Sequence, residues 1–218
     1  MKTRFLSREF AVRRVIKALL TLGLSLAGLV AVLAAGVRVT HPWYCSWRST
    51  RVLGGLNERT QTLEEQLQIA EKAVELNPRN WHARYWYAHK LGELKKYRVS
   101  AGNWAQFRRW SPPGHLTDTT FVDQGMCLLF AHRQTEAIIY LEETIRRCPD
   151  HVSARGFLAA AYADLGLPDR VQEELVKLAN LKPGWQQQFD TCPEWPEEHK
   201  AALAKLEPHL KRVKMKGV

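Results

Sequence analysis

Four prolines set the frame of this chain: Pro78, Pro112, Pro149 and Pro183 stand 34, 37 and 34 residues apart. An interval of that size marks a stack of supersecondary units rather than one irregular domain. Aligned on the prolines, small residues recur at Ala88, Gly125 and Ala159, and large apolar ones at Trp104, Leu141 and Leu175. The three-residue excess falls in the loop around "PPGHL". Each unit holds two apolar patterns of helical period: 81–94 with 97–110, 118–131 with 134–147, and 152–165 with 168–181. The connections inside the units, "KK", "HR" and "GL", are too short for anything but antiparallel helix hairpins. No strand pattern competes, so the expected fold class is all-α.

Two stretches point further: "AEKAVELNPRN" at 70–80 and "VSARGFLAAAYADLGLPDRVQEELVKLANLKP" at 152–183. Through them, residues 81–185 resemble three tetratricopeptide repeats, and 62–80 resemble the second helix of an incomplete repeat before them. The chain departs from the pattern where Lys95 replaces the usual turn glycine, Ser100 and Val171 replace the small residue opening the second helix, and Thr144 replaces a later alanine. The resemblance implies a right-handed superhelix whose first helices line a concave groove for extended or helical peptides. By register that groove carries His82, Tyr85, Trp86 and His89, then Asp123, Met126 and Phe130, then Phe157 and Asp164. Some repeats of the family clamp C-terminal carboxylates with Lys, Asn and Arg. The matching positions here hold Tyr85 and His89, so the implied ligand is a protein segment with an apolar anchor. Each hairpin is apolar on both sides and must stack on neighbours. At the end of the stack, 196–213 places Ala202, Leu203, Leu206 and Leu210 at helical spacing and reads as a solvating cap. The preceding "GWQQQFDTCPEWP" reads as a loop that folds Trp185 and Trp195 against that cap.

Ahead of the repeats, residues 18–37 carry no charge, and 20 residues at ~1.5 Å each span the ~30 Å of a bilayer's hydrocarbon. Six bases and one acid precede this run, so the positive-inside bias keeps residues 1–17 in the cytoplasm and sends the rest across. Trp43, Tyr44 and Trp47 follow as an interfacial anchor. A cleaved signal peptide is the competing reading, with Val32 and Ala34 before the cut, but its apolar region is normally shorter; an Arg-rich mitochondrial leader is a third. Within the run, Gly23, Ala27, Ala31 and Ala35 form a ridge of small residues that admits another membrane helix. The expected order is therefore a basic tail at 1–17, a single transmembrane helix at 18–37, a linker at 38–61, the repeats at 62–185, and a loop, capping helix and basic tail at 186–218.

Half of the formal net charge of +10 lies before residue 38, leaving the exported part only mildly basic, which argues against a nucleic-acid partner. "KRVKMK" at 211–216 is the one dense basic run and reads as a solvated tail. Cys45, Cys127, Cys148 and Cys192 are widely spaced without a CxxC, and "HPWY" before Cys45 is no lipidation signal. His82 with His89, and Cys148 with His151, complete no metal-ligand set. No nucleophile-and-base arrangement or phosphate loop is readable, so no enzyme activity, small-molecule substrate, metal or cofactor is expected. These readings converge on a membrane-anchored scaffold or accessory subunit that assembles or stabilises an envelope complex, with an integral membrane protein among its partners. The alternative is a periplasmic chaperone-like factor serving secretion, pilus or cell-wall polymer machinery.

Overall fold

The boundaries of the helices follow from where the chain supplies caps. Thr62 opens α1 (Leu63–Leu76) with a capping box, its hydroxyl accepting from the Glu65 amide while the Glu65 carboxylate accepts from the Thr62 amide. Asn80, Thr117 and His151, spaced like the prolines, accept in the same way at the starts of α2 (Trp81–Glu93), α4 (Asp118–Phe130) and α6 (Val152–Asp164). Their partners α3 (Tyr97–Trp110), α5 (Gln134–Arg147) and α7 (Pro168–Leu181) have no side-chain cap, because each begins directly out of the preceding helix's terminal turn. The short α8 (Trp185–Asp190) and the long α9 (Pro196–Met215) complete the chain.

This computed structural model describes residues 45–190, 192 and 195–215. The chain divides into two units, Met1–Arg48 and Ser49–Val218, and the second contains the repeats. The expected basic tail, the membrane segment 18–37 with Gly23, Ala27, Ala31 and Ala35, and the interfacial Trp43 and Tyr44 lie outside the described residues. Trp47 is 45% exposed. Among the described residues no helix is long and apolar enough to cross a membrane.

The three turns inside the hairpins share one geometry. Lys95, His132 and Gly166 all adopt the left-handed conformation, at φ +59, +59 and +67°. Their amides donate to Gly92, Leu129 and Ala163, while the next amides, of Lys96, Arg133 and Leu167, reach back to Leu91, Leu128 and Tyr162. This double bond from beyond the helix end satisfies carbonyls that would otherwise lack donors. Only Gly166 takes the conformation without steric cost. Lys95 keeps it because the flanking helices fix the turn, so the departure noted in the sequence leaves the period intact.

Each hairpin packs on the next in chain order: α1 on α2, α3 on α4, and α5 on α6, in addition to the pairs within hairpins. The periodic small residues permit the approach. A Cβ on Gly125 would stand 2.7 Å from Cγ of Leu141, so α4 and α5 meet closely only because that atom is missing. The matched large residues Trp104, Leu141 and Leu175 are all buried, in one core shared with Phe107, Phe157 and Leu178. Each such side chain contributes about 1.5–3 kcal/mol relative to exposure. A polar brace recurs in the outer hairpins. The guanidinium of Arg84 reaches the Pro78 carbonyl and Asn103, and that of Arg155 reaches the Pro149 carbonyl and Glu174.

Two stretches outside the three hairpins carry helix. The segment 38–61 contains helical residues 45–53, and Val52 and Leu53 pack on Ala73, Val74 and Ala83, so this end of the stack is covered as well. The stretch before the cap is not a plain loop: α8 brings Trp185 and Phe189 to full burial against α6. The reason is local, since Gly156 leaves room that Phe189 fills, its ring carbon only 2.3 Å from where a Cβ would stand.

Candidate protein-binding groove

The first helices of successive hairpins lie side by side, with α4 in direct contact with α6. The nine residues expected along their inner face fall into three groups. Met126 and Phe157 are fully buried in the core, so they line no open groove. Phe157 lies beneath Phe189 and His199, at 5.5 and 4.7 Å between ring centroids, because α8 and α9 cover the inner side of α6. Tyr85 is half-buried with its ring edge-on to Trp104 and Phe107 of α3, and serves packing between the two helices of its hairpin.

A second group is engaged by the chain's own C-terminal segment. The indole N–H of Trp195 donates to a carboxylate oxygen of Asp123 at 2.9 Å, and Asp123 is only 2% exposed. The same indole lies 5.0 Å from the His89 ring, and Gly92 gives it room, since a Cβ there would meet its ring at 2.5 Å. Farther along, the Lys205 ammonium pairs with Asp164 at 2.7 Å and stands over the half-buried Phe130 ring at 5.5 Å. The Tyr97 hydroxyl donates to Glu198, and burial followed by this bond raises the Tyr97 pKa far above the ordinary phenolic value.

The third group stays available. Trp86 is half-buried, T-shaped against Tyr85, with the Lys90 ammonium 5.4 Å from its ring centre. His82 is exposed and stacks on Trp81 at 3.4 Å, at the α2 N-terminus and apart from the other groove residues; burial, and then the charge of His115, lower its pKa. Beside Trp195 a cleft of about 320 Å³ opens. His89, Glu93 and Lys95 line one wall, and Pro196, Glu197 and Glu198 the other. The Lys90 side chain is only 3% exposed, and its ammonium is tied to Glu58 and Glu93, at 2.7 and 2.9 Å.

The groove therefore has an aromatic and acidic character but is largely occupied. The sequence reading missed Trp195, Gly92, Tyr97 and Glu198 as part of it. One signal was legible: an isolated glycine inside a helical pattern marks a close approach, and Gly92 is one. Among the described residues, no group of three His, Cys, Asp or Glu side chains is placed to hold a metal ion. The Cys127 thiol is fully buried, and burial pushes its pKa up to about 12, leaving it protonated and unreactive.

No protein-family profile matches the chain, and no curated sequence does. Solved structures do. The fold is similar to YrrB, described as a TPR protein with an unusual peptide-binding site, at TM-score 0.51 and 19% identity over 72% of this chain and 84% of that one. It is also similar to MamA, at TM-score 0.56 and 12% identity over 80% and 96% of the two chains. The MamA fragment from Desulfovibrio magneticus RS-1 gives 0.52 and 18% over 81% and 97%. The fold is thus a tetratricopeptide-like array of helix hairpins.

Proposed function

We propose that the chain is a non-catalytic scaffold that holds a segment of a partner protein along the inner face of α2 and α4. The observation that carries this reading is the half-exposed His89, which lines a cleft beside a socket that already accommodates a tryptophan, with Trp86 also half-exposed on the same helix. Aromatic rings are enriched at interface centres, and a cleft that joins the rings of His89 and Trp195 to a charged rim supplies an anchor site of that kind. The description of YrrB as having a peptide-binding site supports a peptide as the ligand of this similar array.

The uncharged run at 18–37 and the bases before it support a membrane tether, with the N-terminus in the cytoplasm and the repeats on the far side, in an envelope complex. The small-residue ridge at Gly23, Ala27, Ala31 and Ala35 supports an integral membrane protein as one partner. Extraction in mild detergent followed by mass spectrometry of the co-purifying proteins tests both surfaces. The Trp86→Ala chain loses the partner bound by the repeats; Ala27→Leu with Ala31→Leu loses the membrane partner while the chain still inserts. An unchanged set of proteins with folded Trp86→Ala refutes the groove, and a reporter after Val218 that works in the cytosol refutes the orientation.

A further inference from the structure

We infer that residues 195–198, Trp-Pro-Glu-Glu, are a built-in occupant of the groove, and that the external ligand is a peptide presenting tryptophan followed by acidic residues, which displaces them. This deepens the groove reading above and rests on it.

The socket is built for an indole. A buried indole needs an acceptor for its N–H and room for its two rings. Trp195 meets a buried carboxylate, Asp123, that accepts its N–H, a helical Gly92 that admits its six-membered ring, and the His89 ring alongside. A buried acceptor of this kind discriminates an indole from a phenyl ring, because the phenyl leaves the acceptor without that donor. The next residues continue the match. Glu198 accepts from Tyr97 at the N-terminus of α3, and Pro196 and Glu197 line the cleft opposite Lys95.

The occupant is also held at a cost. Trp195 adopts φ +56°, the left-handed region that a bulky side chain avoids. Backbone strain of this sort persists only where surrounding contacts over-determine it. It favours an outside tryptophan, which makes the same contacts from relaxed backbone. Against this, the attached segment has the advantage of an effective concentration on the order of mM. A free peptide therefore binds with its intrinsic affinity reduced by the fraction of time the socket stands open.

The test uses the full-length chain in mild detergent and a dye-labelled synthetic peptide, PEWPEEHK, copying residues 193–200. Fluorescence anisotropy is expected to show the peptide binding Trp195→Ala at least about tenfold tighter than the unaltered chain. Changing the peptide's tryptophan to alanine, or adding Asp123→Asn to the protein, should each weaken that binding about tenfold. Glu198→Gln in the protein, which weakens only the built-in segment's bond and leaves the Tyr97 hydroxyl for the peptide's own glutamate, provides a milder release with the core intact and should strengthen binding about threefold. Equal binding to the unaltered and altered chains overturns displacement, and no binding to folded Trp195→Ala or Glu198→Gln overturns the peptide class. Neither result touches the groove itself, which fails separately if Trp86→Ala leaves partner capture intact.

Discussion

Helices α2 and α6 hold equivalent places in the first and third hairpins, yet they are used differently. In α6 every residue from Ala154 to Tyr162 is buried, Arg155 and Gly156 included, because α7 packs on one side and α8 and α9 on the other. In α2 the buried set is Ala83, Ala88, Lys90, Leu91 and Gly92, and the face bearing Tyr85, Trp86 and His89 is only half-covered. One position in the repeat thus supplies core at the C-terminal end of the stack and surface at the other. The same register does not assign the same role to residues 37 and 71 positions on, since what covers the inner face differs from repeat to repeat.

The largest effects should break this contrast on the α6 side. Phe157→Ala is expected to cost about 3–5 kcal/mol in denaturant unfolding, the value of an emptied aromatic site. Glu174→Ala should cost a comparable ~3–5 kcal/mol, because it strips the buried Arg155 guanidinium of its carboxylate at 2.8 Å. Trp86→Ala, on the half-covered face of α2, should cost no more than about 1–2 kcal/mol while abolishing partner capture. A loss as large as that of Phe157→Ala would make α2 a core helix like α6.

An intermediate effect separates the turns. Gly166→Ala in the third hairpin should lose about 1 kcal/mol at a φ of +67°, and Lys95→Gly in the first should gain about 0.5–1 kcal/mol at +59°. The smallest effect is electrostatic. The hydrogen bond from Lys90 holds the Glu58 carboxyl below its ordinary value of 4.5, and Glu58 remains about half exposed, so solvent screens the pair. A carboxyl depressed in the folded state stabilises above its unfolded pKa and loses that contribution as pH falls through the folded value. Glu58→Gln should therefore cost a few tenths of a kcal/mol at pH 7 and nothing near pH 2.

The helices were legible in the sequence because period, caps and prolines are local. The expected ranges for the three hairpins end one residue beyond the first helices, at Leu94, Ala131 and Leu165, which turn out to be C-caps. The groove was less legible. Phe157 lies on a stripe that would face outward in an open array, and nothing within its own helix shows that α8 and α9 return to cover it. Asp123 illustrates the limit. A lone acid among apolar residues reads as a groove position, but its partner Trp195 lies 72 residues away, and the left-handed turn that aims the indole has no glycine to announce it. Phe189 was equally hidden, its place prepared only by the missing Cβ of Gly156.

The C-terminal segment meets the half-covered face of α2 through Trp195. Hydrogen–deuterium exchange on the full-length chain, comparing the unaltered protein with Trp195→Ala, measures that contact directly. Release of Trp195 should speed amide exchange in the C-terminal half of α2, around His89 to Glu93, and leave α3 and α5 unchanged. Identical exchange in α2, with the altered chain folded, would mean that the C-terminal segment does not occupy this face.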